Sequence, residues 1–429
     1  MKQLLSSLQW LAFILSSSIV APVAVAGLFG LSPVESADFI QRAVFVLGAA
    51  GLLQVLFGHK LPINEGPAGL WWGVFALYAG LSTTIFTSRL ETLQALQGAL
   101  LISGLFFILL SCFGFIRKLS VLFTPTVTGV YLLLLVLQLS ESFIKGMLGI
   151  SGEQTAIHGP TSILSVLLVG ITFWLTRHKM MIIKQYAILL SLVVGWGLFA
   201  FFHLASKPNI QDADIFSMPQ LFVYGKPIFN SGMIITAIFV TFLLIANMIA
   251  SIRITETILR KMNVEVKDYS LDRAGIISGF TQMMGGAFST MGPVPLSGAG
   301  GFIAATGISK KLPFIVASVS VILLSLFPPI MNVFAVMPPA VGYSVSFVIF
   351  AGMLSVALSE MRESTERVRT VIGVALLSGT GVMFLPTEVF EGIPPVITSI
   401  LSNGLILGTV ICICGEQLII FLSKKKAIN

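Results

Sequence analysis

Stretches of about 20 mostly apolar residues, the length that crosses a bilayer's hydrocarbon core as a helix, recur along almost the whole chain. That recurrence restricts the fold more than any motif does. Twelve such stretches are clear and two are short and broken by glycine; they lie near 6–29, 40–58, 67–82, 94–116, 122–145, 161–176, 185–204, 230–252, 273–290, 298–308, 312–331, 335–357, 369–385 and 394–423. With 56% hydrophobic residues, 10% charged residues and a mean hydropathy of +0.98, a water-soluble domain is excluded. Membrane helices also tolerate the 40 glycines and 19 prolines, because close neighbours satisfy freed backbone groups. The expected fold class is an all-α polytopic membrane protein with about 14 transmembrane segments.

Lys and Arg in short loops stay on the cytoplasmic side. With both termini inside, twenty of the 25 basic residues fall inside, and only Arg42, Arg89, Lys145, Lys207 and Lys226 fall outside. A miscounted span would scramble that asymmetry downstream of it. The same sorting accounts for the net charge of +7. No basic stripe with interleaved aromatics is present, so nucleic acid is excluded as a partner. Lys2, the first apolar run and Ala24-Val25-Ala26 imitate a secretory signal, but the run continues to Gly30 and is read as the first span.

Fourteen segments divide into 7+7 inverted repeats, because an odd number per half reverses the second half in the membrane. Pro125-Thr126-Val127-Thr128-Gly129 opens the fifth segment and Pro338-Pro339-Ala340-Val341-Gly342 opens the twelfth, with the same proline-to-glycine spacing. The interrupted third and tenth segments hold matching places, Leu61 to Trp72 and Met291 to Phe302. Each is too broken to begin as a helix and too apolar for a surface loop. Such pairs point to a midplane site, where half-helix N-termini direct partial positive charge at a substrate; re-entrant packing without a ligand is the alternative. Two registers are open: Gly66-Pro67 on Gly292-Pro293, or Ala68-Gly69 on Ala299-Gly300.

Several of these residues together resemble the nucleobase–cation symporter-2 family, the nucleobase–ascorbate transporters with bacterial xanthine and uracil permeases among them. Ser7-Leu8-Gln9-Trp10-Leu11 with Val20-Ala21-Pro22 is similar to that family's first span, Lys60 to Gly69 to its third, and Leu122-Phe123-Thr124-Pro125 with Gly129 to its fifth. The tenth-span signature lands on Gly298, Ala299, Gly300, Gly301, Phe302 to Ala305, Thr306 and Gly307; its glycine skeleton is kept and its polar head is not. Similar permeases carry a substrate-binding Glu where this chain has Asn247, a His in the uracil type where it has Ser251, and usually a His in place of Trp10. The chain thus resembles a divergent purine/uracil permease branch. The resemblance implies core and gate domains: 1–118 core and 119–228 gate in the first half, 229–331 core and 332–429 gate in the second. It also implies substrate held between the interrupted segments, at Gly66, Ala68, Gly298 and Ala299.

Of the 18 acids, only Glu65, Glu141 and Glu416 lie inside apolar sequence, where a carboxylate is a functional candidate by default. Glu141 stands four residues before Lys145, the spacing of a helical ion pair, and Glu416 reads as a packing or snorkelling residue. Glu65 sits at the interruption itself. Either it binds a nucleobase N–H or carries the coupling proton, since burial favours a carboxyl's neutral form, or it caps the half-helix that follows. Asn247 and Ser251, four apart, share a helix face and either contact one planar ligand or bridge two helices; Asn offers the donor and acceptor a base edge needs. Trp71 and Trp72 stack a base or pack. His59, His158, His178 and His203 lack metal or triad spacing, and only His203 lies well inside a span. Cys112, Cys412 and Cys414 read as packing residues.

The expected function is a secondary active transporter importing a nucleobase, a purine such as xanthine or urate, or uracil, by proton symport. A small-anion carrier of the same architecture and a non-transporting membrane sensor are the alternatives. No catalytic constellation supports an enzyme. Expected partners are the lipid bilayer, a small-molecule nucleobase, H+ as coupling cation and, as a candidate assembly, a homodimer. No cofactor or metal is expected, and the location is the plasma membrane with both termini cytoplasmic.

Overall fold

The computed structural model describes residues 2–428 apart from 81, 83–85, 120, 121, 123, 151–155, 181, 182, 185, 206–213, 266–269, 362–364, 387, 388, 390–400, 402 and 403. The described residues are helical almost throughout. In order they form α1 (Lys2–Ser18), α2 (Val20–Leu28), α3 (Pro33–Leu56), β1 (Glu65–Pro67), α4 (Gly69–Gly80), α5 (Arg89–Cys112), α6 (Ile116–Leu119), α7 (Pro125–Met147), α8 (Gly159–Thr176) and α9 (Ala187–Phe201). Then follow α10 (Ser231–Lys261), α11 (Leu271–Ala287), β2 (Pro293–Pro295), α12 (Gly298–Thr306), α13 (Lys311–Ser325), α14 (Pro328–Ala335), α15 (Pro339–Glu360), α16 (Glu366–Met383) and α17 (Gly404–Ile428).

Proline and hydroxyl residues set many of the starts. Ser32 accepts from the Glu35 amide at 3.3 Å while its own amide donates to the Glu35 carboxylate at 2.8 Å, a complete capping box with Pro33 in the first helical position. Thr124 caps α7 ahead of Pro125 through its side chain alone, accepting from the Val127 amide at 3.3 Å. Pro22 lacks the N–H that would reach Ser18, and there the first apolar run divides into α1 and α2.

Every segment expected from the sequence contains a helix, yet eight helices, or nine if a bent pair counts as one, are long and apolar enough to cross a bilayer among the described residues. The difference has local causes. β1 and β2 take up the first residues of the two interrupted segments, leaving the half-helices α4 and α12, of 12 and 9 residues. The stretch at 312–331 is not one straight helix: it turns by 85° between α13 and α14, where Pro328-Pro329 ends one helix and starts the next.

The helices pack in two groups. In one, α5 lies on α11 and α10, α3 on α13 and α14, and α1 on α13. In the other, α15 lies on α7 and α8, α17 on α16 and α7, and α9 on α8. Bare backbone meets bare backbone at one crossing in each. A Cβ added at Gly104 would come within 2.4 Å of the Gly279 carbonyl oxygen, and one added at Gly404 within 2.1 Å of the Gly379 carbonyl oxygen. Small residues permit this approach in membranes, where packing rather than water exclusion drives helix association.

Candidate functional site

The two interrupted segments meet. β1 and β2 pair antiparallel with Glu65 opposite Pro295, Gly66 opposite Val294 and Pro67 opposite Pro293, so the chain leaves the strands at opposite ends and enters α4 and α12 from there. This pairing sets Pro67 against Pro293 across the sheet, and the half-helices begin at Gly69 and Gly298, two and three residues past the last residues of their strands. The flanks extend the ladder: the Ala68 amide donates to the Gly292 carbonyl at 3.0 Å and the Leu296 amide to the Asn64 carbonyl at 3.0 Å. Backbone that would otherwise lie unpaired at membrane depth is satisfied in this way.

Helix side chains clamp the pair. Ser251 Oγ on α10 donates to the Pro295 carbonyl at 2.8 Å. Gln282 on α11 donates through Nε2 to the Pro293 carbonyl at 2.6 Å and accepts from Trp71 Nε1 at 2.8 Å, tying β2 to α4. Gly292 fits beneath this amide only without a Cβ, which would stand 2.1 Å from Gln282 Oε1. At Gly66 a Cβ would meet Leu296 Cδ1 at 2.4 Å.

The seven candidate residues have different situations. Glu65 is 1% exposed, and neither carboxyl oxygen accepts a hydrogen bond among the described residues. The hydrogen-bonded cap of α4 is therefore not made. Ala68 and Ala299 are buried, and the Ala299 amide donates to the Leu296 carbonyl at 3.1 Å. Gly298 opens α12 with an exposed flank. Ser251 uses its proton on the Pro295 carbonyl of β2, whereas Asn247, one turn earlier on α10, is half-buried and makes no side-chain hydrogen bond among the described residues.

Aromatic residues mostly pack. Trp10 packs on Phe302 of α12 in a tilted pair, 4.3 Å between centroids, and meets Phe314 edge-on. Trp71 is hydrogen-bonded in the core, and Trp72 lies edge-on to Phe143 of α7 and Phe350 of α15. Glu141 pairs with Lys145 at 2.6 Å on an exposed helix face, and Glu416 accepts from the Thr124 hydroxyl, joining α17 to the start of α7. Cys412 is buried as expected of a packing residue, but Cys112 and Cys414 are exposed. No group of three metal-ligating side chains occurs among the described residues.

The histidines reverse their expected order. His203 is exposed, in a left-handed turn past the end of α9, while His59 is fully buried with Nε2 3.6 Å from Glu65 Oε1. Its place after the apolar run, between Gly58 and Lys60, reads as loop. The usable signal was the six-residue spacing to the one acid at an interruption.

Residues 1–388 match a family model described as "Permease family". Over 99% of this chain and 98% of the other, the sequence is 46% identical to "Putative purine permease YwdJ" of Bacillus subtilis. It is 25% identical to the xanthine permease of the same organism over 100% of this chain and 96% of that one. The fold is similar to the transmembrane domain of the cyanobacterial bicarbonate transporter BicA, with a TM-score of 0.63, 14% identity, and 95% of this chain and 97% of that chain covered.

Proposed function

From the premise that this chain belongs to the Permease family, we propose that it carries a nucleobase across the plasma membrane by proton symport, with a purine such as xanthine or urate, or else uracil, as substrate. Its relatives are permeases and not enzymes, and the named substrates of those relatives support the nucleobase class. One observation supports the placing of the site: antiparallel pairing joins the interrupted segments and leaves two half-helix N-termini beside the strands. Helix N-termini favour electron-rich groups such as the carbonyl oxygens of an oxidised purine.

In this reading the two packing groups are the core and gate domains, and the fourteen segments form two inverted sevens with both termini cytoplasmic. Asn247 reads a base edge displaying a donor and an acceptor. Ser251 holds β2 in place, with Gly66, Ala68, Gly298 and Ala299 letting the ligand approach the backbone. Glu65 carries the coupling proton, since a desolvated carboxyl inside the membrane is tolerated in its neutral form and becomes costly once ionised.

The test is uptake of labelled xanthine, urate, hypoxanthine and uracil in a permease-deficient bacterium expressing the chain. Concentrative uptake of one base, abolished by a protonophore, is expected. Uptake of none refutes the nucleobase reading, and uptake indifferent to the protonophore refutes proton symport.

A further inference from the structure

His59 is aimed by its neighbours. Gln54, in the last turn of α3, accepts from the Gly58 and Lys60 amides with its backbone carbonyl, at 3.0 and 3.1 Å, and from the His59 amide with Oε1 at 3.3 Å. Its Nε2 donates to the Ala274 carbonyl and Ser278 Oγ on α11, at 3.1 and 2.8 Å, so the turn is bolted to a second helix. Gly58 leaves room for that amide, since a Cβ there would fall 1.9 Å from Gln54 Oε1. Lys60 holds a left-handed φ of 59°, which costs a non-glycine residue about 1–2 kcal/mol. A turn kept at that cost, and stapled from both sides, delivers an imidazole into the core.

The ring's protonation follows from its contacts. Nδ1 accepts from the Leu61 amide at 3.1 Å, which assigns the proton to Nε2, the nitrogen facing Glu65. Neither Nε2 nor the Glu65 oxygens have a hydrogen-bond partner among the described residues. At 3.6 Å the two groups stand just outside hydrogen-bond length, and a movement of under about 1 Å closes the gap.

We propose that His59 is the donor that holds the deprotonated state of Glu65, acting as a positioning residue for the coupling proton. The inference rests on the reading of Glu65 as proton carrier. When the proton leaves the Glu65 carboxyl for the aqueous side, Nε2–H remains on His59 and closes on Oε1; the imidazole gains and loses no proton. The resemblance places an acid and an imidazole at the positions of Asn247 and Ser251. Here the acid and imidazole stand instead across the strand pair, Glu65 being opposite the same Pro295 that Ser251 binds.

Among the described residues, Lys311 at the start of α13 acts electrostatically on His59, and Lys60 is its chain neighbour. α1 presents Ser17, whose Oγ accepts from Asn64 Nδ2 at 2.9 Å, and α10 presents Ser251.

Infrared titration of the full chain in liposomes tests this, following the protonated-carboxyl band that disappears in Glu65→Gln. His59→Phe, which keeps the ring's bulk but no donor, is expected to move the midpoint of that band upward by about one pH unit, a tenfold gain in proton affinity. His59→Gln, with an amide donor, is expected to recover part of the shift. An unmoved midpoint in folded His59→Phe overturns the role of His59 and leaves Glu65 as carrier. If no band depends on Glu65, the carrier reading and the role of His59 both fall. Should His59→Phe not fold, His59→Leu makes the same comparison.

Discussion

Ser251 on α10 donates its hydroxyl proton to the carbonyl of Pro295, and Pro295 lies directly opposite Glu65 in the strand pair. The helix that carries Asn247 is thereby fastened to the strand that positions the buried carboxyl. Ser251→Ala leaves that carbonyl unpaired in a dry setting, at about 1–3 kcal/mol. Thermal unfolding of the purified protein should show the loss, and substrate affinity should fall with it as β2 loosens. An unchanged melting temperature would mean that the bond contributes nothing net.

Asn247 differs in making no side-chain hydrogen bond among the described residues. Asn247→Ala is expected to leave folding intact and weaken nucleobase binding by about 1–3 kcal/mol, the cost of stranding a hydrogen-bonding edge. Equilibrium binding on the folded variant checks this, and wild-type affinity removes Asn247 from the site. Asn247→Glu should shift preference toward neutral bases; equal loss for all substrates would contradict the assignment.

Glu65→Gln fixes the carboxyl's neutral state. Counterflow exchange should persist while proton-driven accumulation disappears, measured in vesicles carrying equal amounts of the two proteins. Normal accumulation would exclude Glu65 as the proton carrier.

Trp71→Phe removes the donor to Gln282 and leaves a buried amide oxygen unsatisfied, so a loss of about 1–3 kcal/mol in stability is expected. Trp72→Phe should be milder, because the Trp72 indole N–H has no partner among the described residues and its ring contacts are aromatic edges that Phe largely keeps. Parallel chemical-denaturation curves in detergent decide the ranking.

Gly104→Val forces a side chain into the Gly279 backbone where α5 crosses α11, and about 1–3 kcal/mol or more of overpacking is expected. Gly170, on α8 with open space around it, is the matched control, and Gly170→Ala should be tolerated. Comparable melting of both variants would show that the α5–α11 crossing is slack.

The sequence made the helices legible because each is an apolar run closed by proline, glycine or charge, as at Ser32-Pro33 and Thr124-Pro125. It also marked both interrupted segments. What it concealed was their pairing: three-residue strands containing Pro67, Pro293 and Pro295 run against strand preference, and their stabilising partners lie far away in the chain. The burial of His59 was hidden for a related reason. Gly58-His59-Lys60 has the composition of a surface turn, and what folds it inward is a glutamine side chain bridging to another helix. The bend at Ser325 to Pro328 was readable from its two prolines, but hydropathy alone runs straight through it.

The strand pair also governs the order in which the protein can be assembled. Glu65 and its partner Pro295 are separated by about 230 residues, and at ribosomal speeds of roughly 5–20 residues per second the first strand waits some 10–50 s for the second. Throughout that interval β1 has donors and acceptors with no ladder and, in lipid, no water to replace it. The nascent first half therefore needs shelter, in the insertion machinery or at an aqueous boundary, until β2 arrives. Biogenesis of this permease ends with a long-range zipper, and a ribosome halted before Met291 should leave the first half exposed to quality-control proteases.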